Sequence, residues 1–296
     1  MKPGLDALIA PGSLRELFAC FESSEPFAVH GQRPSITALT EIRLLESLDV
    51  LLESWPKMVQ AHLPDVADEA SSVTVSPDDA RKLFDSGMGL LFADVETISP
   101  RLTDWLGAIR RDLGLSALTQ ARCLVYATPR GKGTAPHFDQ NVNFVLQVHG
   151  TKKWRLAPNS HVERPLTRHT MGLSVDPELQ TYARIPMLQR MPEASREIVL
   201  QPGSLLFVPR GYWHATSADS DALSLNFTFS APTWIDVFTA ALRGRLAISS
   251  EWRKTALPTH VDDFDVLLRD LAHDAAHWNA ADILAVTESE PGEPEP

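Results

Sequence analysis

Apolar and polar positions follow a helical period through the first 120 residues and then change to a short, alternating one. SLRELFACF (13–21) has apolar residues at helical spacing behind Ser13, a residue suited to an N-cap. EIRLLESLDVLLESWP (41–56) predicts one long helix ending at its proline. PDDARKLFDSG (77–87) and SPRLTDWLGAIRRDLG (99–114) each start near a proline and stop at a glycine, the asymmetry expected of helices. Only FAVHG, SVTVS (72–76) and GLLFADVE (89–96) read as strands in this part.

From about residue 121 the runs shorten. ARCLVYATP, NFVLQVHG, KKWRLAP, REIVLQPG, SLLFVPRG, YWHATSA and ALSLNFTFS are separated by Gly, Pro, Asn and Asp. Close-spaced strands of this kind predict an antiparallel sandwich or barrel. Segment 160–195 is polar, proline-bearing and irregular, and is expected to be a long insertion near the mouth of a site. Helical spacing returns in PTWIDVFTAALRGRLA (232–247) and DDFDVLLRDLAHDAAHW (262–278). The expected organisation is a helical N-terminal part with core-extending strands (1–120), a β-barrel core (121–231), C-terminal helices (232–285) and a disordered acidic tail (286–296).

Composition narrows the function. The 296 residues are 44% hydrophobic, enough for a large core, and the net charge is −11. That balance argues against nucleic acid or an anionic membrane as the main partner. Two cysteines, Cys20 and Cys123, can supply neither a disulfide framework nor a Cys-rich zinc site, and both are expected to be small buried hydrophobes. No apolar run is long enough for a membrane helix. MKPGLDALIAPG does not read as a secretory leader, so the cytoplasm is the expected compartment.

The chemistry converges on His137-Phe138-Asp139 and His214. Side chains two apart on a strand point the same way, so His137 and Asp139 share a face and Phe138 takes the other. Two histidines and one carboxylate make the facial triad of a non-haem Fe(II) site. His214 closes LQPGSLLFVPRGYWHA, where two turns flank an apolar strand able to deliver a ligand from a neighbouring strand. His149, His161, His169, His260, His273 and His277 read as solvated or structural. Fe(II) sites of this type usually use an oxidisable co-substrate, and 2-oxoglutarate needs a buried cation for its far carboxylate. Lys152 or Lys153 can supply it. Strand alternation lets one point inward, beside Trp154 if it is Lys152, while the other meets solvent. Trp154 and Trp213 are expected in the core, and Arg210 in a turn.

HFDQNVNFVLQVHGTKKWRLAP, followed by LQPGSLLFVPRGYWHATSADSDALSLNFTFSAPTW, resembles the JmjC/cupin-type 2-oxoglutarate oxygenases, especially the cupin-4 branch containing the ribosomal-protein hydroxylases. It is also similar to the asparaginyl hydroxylase of hypoxia-inducible factor. The upstream KLFDSGMGLLFADVE and LVYATPRGKGTAPHFD fit too, so the likeness spans roughly 10–250. The resemblance implies a mainly β fold, a double-stranded β-helix (jelly-roll) with helical additions. It implies Fe(II), 2-oxoglutarate and O2, with His137, Asp139 and His214 on iron. Lys152 would pair with the 5-carboxylate, Tyr126 and Thr134 would offer hydroxyls, and Asn143 would reach the co-substrate or its water. A polar residue among Ser224, Asn226, Thr228 and Ser230 would contact 2-oxoglutarate, Asn226 being the candidate taken forward. The implied reaction is hydroxylation of a protein or peptide residue, with a homodimer built by the C-terminal helices. Tailoring of a peptide natural product or small molecule, and a non-catalytic metal-binding cupin, are the alternatives.

Overall fold

The computed structural model describes residues 2–9, 12–31, 34–63, 71–257 and 261–281. The expected acidic tail, and residues 282–285 of the expected C-terminal helical part, lie outside the described residues. The chain forms two compact units, Met1–Gly114 with Ala121–Ser230, and Leu115–Gln120 with Ala231–Pro296.

In the first unit, helices α1 (Leu5–Leu8), α2 (Leu14–Ser23), α3 (Pro34–Thr40), α4 (Leu48–Ser54), α5 (Pro77–Asp85) and α6 (Pro100–Asp112) alternate with β1 (Phe27–Val29), β2 (Val59–His62), β3 (Ser72–Val75) and β4 (Gly89–Ala93). Then come β5 (Gln120–Thr128), β6 (Gly133–Phe138), β7 (Val142–His149), β8 (Lys152–Ala157), β9 (His169–Thr170), α7 (Pro177–Tyr182), β10 (Arg196–Leu200), β11 (Leu205–Val208), β12 (Trp213–Ala218) and β13 (Ala222–Ser230). The strands make two sheets. One has eight strands in the order β1-β11-β7-β13-β5-β4-β2-β3, the other five in the order β10-β8-β12-β6-β9. Side chains from both sheets line one cavity between them, the layout of a double-stranded β-helix. The N-terminal strands β2, β3 and β4 widen the larger sheet.

Several local expectations change. The helix expected over 41–56 is a 3-10 turn (Arg43–Leu45) followed by α4. Ser47 breaks it: its backbone is extended and its hydroxyl accepts from Val50 N at 3.2 Å, so it caps a new helix. Ser13 and Ser99 precede helices without a side-chain cap bond. The strand expected over 89–96 stops at Ala93, because Asp94 turns left-handed (φ 59°). The irregular insertion contains β9 and α7, and β2 was not expected at all. Cys123 is buried as expected, whereas Cys20 is only partly so.

The insertion covers the smaller sheet. Val162, Met171, Leu179, Met187 and Met191 pack with Phe138 and Trp213 in one apolar cluster. Phe138 and Trp213 are fully buried, ring centroids 4.7 Å apart and edge to face. Both occupy the face opposite the triad, as strand alternation requires. Arg210 donates Nε to the Pro165 carbonyl (2.8 Å), tying the β11–β12 turn to the insertion.

The second unit holds α8 (Trp234–Leu246) and α9 (Val261–Ala275). Thr233 and Asp236 form a reciprocal capping box at the start of α8. Arg245 joins the helices by donating to both Asp274 oxygens (2.8 and 3.1 Å). No helix among the described residues is long and apolar enough to cross a membrane.

Gly133 shows how tightly β6 and β12 approach: an added Cβ would lie 1.8 Å from the Thr216 carbonyl oxygen. Gly133→Ala should therefore force the strands apart, costing about 3 kcal/mol as overpacking. Urea denaturation beside Gly131→Ala, which meets nothing within 4 Å but has φ +75°, checks it: the Gly133 variant should lose more.

Candidate metal centre and co-substrate cavity

β6 and β12 bring the two histidines together. Their antiparallel register sets His214 directly opposite His137, with an irregularity between His214 and Thr216. The imidazole centroids are 4.1 Å apart. Asp139, just past β6, adds its carboxylate: Oδ2 lies 3.5 Å from His214 Nε2 and 3.9 Å from His137 Nε2. One ligand atom from each residue falls within 4.8 Å of the others, a grouping able to hold a metal ion.

The backbone chooses the ligating nitrogens. His137 Nδ1 meets the Ala135 carbonyl at 2.7 Å and His214 Nδ1 meets that of Tyr212 at 2.9 Å. A carbonyl only accepts, so each Nδ1 carries the proton and each Nε2 keeps its lone pair for a metal. Burial, with the neighbouring His137, holds His214 below its ordinary pKa despite opposing pulls from Asp139 and the Tyr212 carbonyl. For Asp139 burial is the largest influence and pushes upward. Its interactions with the two imidazoles and the Asn143 amide outweigh it, leaving the carboxyl below the usual range. Two imidazole Nε2 atoms beside a carboxylate are the donor set a divalent transition metal requires.

A cavity of about 430 Å³ opens from the triad. Lys152 is 3% exposed, and its Nζ donates to Thr128 Oγ1 at 3.1 Å. No described carboxylate pairs with it, and burial pushes its pKa down to about 8. Nζ also sits 5.9 Å from the Trp154 ring centre and 6.0 Å from that of Tyr126. Lys153 points the other way and pairs with Asp219 at 3.0 Å. Burial, then Asp139, keeps the Tyr126 phenol strongly protonated.

Thr134, Asn143, Asn226 and Thr228 line this cavity as well, whereas Ser224 and Ser230 are not part of its lining. Thr134 shares a 2.9 Å hydroxyl contact with Thr216. Asn143 donates Nδ2 to Asp139 Oδ2 (3.3 Å) and accepts from Thr228 Oγ1 (2.7 Å), so it braces the carboxylate. On β13, Ser224 is bonded to Gln147 and Ser230 to Asn141. Asn226 lines the cavity with a buried, unpartnered Oδ1. Trp154 stacks on His214 (5.7 Å, 26°), a cavity wall as well as a core aromatic.

Three contributors escaped the sequence reading. Thr128, on β5, is the hydroxyl under Lys152. Arg168, in the insertion, donates Nε to Asp139 Oδ1 at 3.2 Å. His62, on the unexpected β2, lines the cavity with Gln60. Only Arg168 had a signal: it directly precedes an extended His-Thr pair in a segment expected at the site mouth.

A JmjC-domain family model matches residues 108–237. The uncharacterized protein YxbC of Bacillus subtilis is 30% identical over 261 residues, covering 86% of this chain and 78% of that one. The chain belongs to the JmjC-domain family. Rat ribosomal oxygenase 1 is 30% identical over 171 residues, 56% of this chain but 26% of its own length. The bifunctional lysine-specific demethylase and histidyl-hydroxylase NO66 of Drosophila persimilis is 39% identical over 109 residues, 36% of this chain and 14% of its own. The chain thus spans about a quarter or less of these two animal relatives. The X-ray structure of E. coli ycfD superposes with a TM-score of 0.50 at 16% identity, over 94% of this chain and 75% of that one, a likeness of fold.

In this JmjC domain, His137→Ala removes one of three donors. Metal analysis after reconstitution with Fe(II) should show a near-complete loss of bound iron with the fold retained by circular dichroism. Stoichiometric iron in that variant would refute the ligand set.

Proposed function

We propose that this chain is an Fe(II)- and 2-oxoglutarate-dependent oxygenase that hydroxylates a residue in a protein or peptide. The observation that carries the reading is the buried Lys152 ammonium, with a hydroxyl but no described carboxylate as partner, in the same cavity as the His137, Asp139 and His214 group. A buried charge without a counter-charge is costly, and a dicarboxylate reaching from the metal would neutralise it. A non-catalytic cupin has no use for such a cation.

His137, Asp139 and His214 would hold the iron. Lys152 would bind the 5-carboxylate with the Thr128 hydroxyl, flanked by those of Tyr126 and Thr134. Asn143 would keep Asp139 in place, and the unpartnered Asn226 Oδ1 would accept from a bound water or the co-substrate's surroundings. Iron, O2 and 2-oxoglutarate, when bound, supply an oxidation that releases succinate and CO2 and leaves one oxygen atom in the substrate. The apolar walls, Trp154, Val208 and Leu124 among them, exclude bulk water from that chemistry. Gln60, His62 and Leu63 also line the cavity and have no part in the co-substrate roles, which leaves them to meet a substrate side chain. A protein substrate is favoured by the relatives, a ribosomal oxygenase and a bifunctional lysine-specific demethylase and histidyl-hydroxylase.

The reading includes a homodimer. Trp234, Ile235 and Phe238 on α8 and Phe264 and Leu268 on α9 are exposed, Trp234 by 78%. A second copy's helices would cover them. Trp234→Glu with Phe238→Glu should then yield a monomer in sedimentation velocity; a wild type monomeric at high concentration would rule the dimer out.

With Fe(II), O2 and 2-oxoglutarate the protein should form succinate slowly, and a true substrate should gain the mass of one oxygen. Absence of succinate above a heat-killed control at any iron level would count against the oxygenase. Lys152 also makes a pH prediction. The dicarboxylate binds the protonated amine, so affinity should be steady below pH about 8 and fall as pH rises through it. Calorimetric titration of Co(II)-loaded protein at several pH values should show this step, and Lys152→Met should bind roughly 100-fold or more weakly without it.

A further inference from the structure

Arg168 lies outside every role assigned so far, although it touches a metal ligand. We propose that Arg168 is a positioning residue: it turns the Asp139 carboxylate so that one oxygen alone ligates the metal, and it ties that orientation to the 160–195 insertion. The inference rests on the metal assignment above.

Register explains why an arginine from the insertion arrives there. β9 pairs with the edge of β6, His137 opposite Thr170 and Phe138 opposite His169. One more step along the antiparallel ladder sets Asp139 across from Arg168. Opposed residues share a face, so both side chains turn toward the cavity. Arg168 Nε then reaches Oδ1 at 3.2 Å.

The two carboxylate oxygens are thereby divided. Oδ2 faces both imidazoles and takes the Asn143 amide; Oδ1 takes the guanidinium. An oxygen engaged in a charge-assisted hydrogen bond is a poorer second donor to a metal. Without that bond the carboxylate could rotate and chelate, using a coordination position that a two-point co-substrate and O2 need. One-oxygen ligation is therefore a requirement of the reaction, and Arg168 is placed to enforce it.

The anchorage of Arg168 makes the orientation dependent on the insertion. Its neighbours His169 and Thr170 are buried in the β9–β6 pairing, and the insertion's apolar side chains are buried on Phe138 and Trp213. The same arginine side chain lines the cavity wall. Whatever enters beside the insertion meets a group already bonded to a metal ligand.

The test uses the full chain loaded with Co(II), comparing wild type, Arg168→Ala and Arg168→Lys. Visible ligand-field spectra report coordination number, and titration reports 2-oxoglutarate affinity, neither needing turnover. Arg168→Ala should change the intensity of the Co(II) bands and weaken 2-oxoglutarate about ten-fold, with melting temperature unchanged. Arg168→Lys, which keeps a charged donor, should recover most of both. A spectrum and affinity identical to wild type in Arg168→Ala would overturn the proposal. So would Arg168→Lys as defective as Arg168→Ala, since the side chain would then act by packing. A wild type that binds Co(II) and 2-oxoglutarate yet yields no succinate with iron would sink the oxygenase reading without touching this one.

Discussion

The pairing of β6 with β12 is the constraint on which the site depends. It sets His137 opposite His214 and leaves the imidazoles 4.1 Å apart. A slip of one residue would send each ring to the outer face, where Phe138 and Trp213 now sit, and no metal grouping would remain. Two features hold the register. Gly133 lets the backbones meet where any Cβ would collide, and the apolar cluster of the insertion rewards only the present sidedness. The metal centre and the core of the smaller sheet are therefore two faces of one decision about alternation.

Hydrogen bonding then turns a cluster of titratable groups into a donor set. Backbone carbonyls take the Nδ1 protons of both histidines, Asn143 relays from Thr228 to Asp139, and Arg168 occupies the remaining carboxylate oxygen. Together they leave each ligand one orientation, which spares a metal the entropy of arranging them. Lys152 is the counterpoint: a buried cation whose hydrogen-bond partner among the described residues is the Thr128 hydroxyl, so its charge is left for a ligand. The cavity combines a prepared anionic corner with a prepared cationic one, and a metal-chelating dicarboxylate matches both.

The N-terminal strands and the insertion enlarge this chemistry. β2 brings Gln60 and His62 to the cavity lining, and β9 brings Arg168 to it. Both are short, and neither stands out by periodicity. Four residues with alternate burial, Val59 to His62, are too few to separate a strand from a loop in sequence. A two-residue strand exists only because the β6 edge is there to pair with it.

Local alternation was enough to set His137 and Asp139 on one face and to split Lys152 from Lys153, because side-chain direction in a strand repeats every second residue whatever the surroundings. The turn-flanked strand that ends at His214 pointed to the third ligand, and family likeness added the roles of the other cavity residues. Beyond that, outcomes turned on neighbours that no local pattern names. Ser47 ended a helix that looked continuous because its hydroxyl could cap the next turn. Along β13, four polar side chains alternate identically in sequence, yet Ser224, Thr228 and Ser230 found partners on or beside β7 while Asn226 kept an acceptor open to the cavity. The sequence by itself determined which faces its strands present. Only the tertiary structure decided which faces meet, because pairing between distant strands is selected by packing and polar satisfaction over the whole core rather than by any stretch of chain.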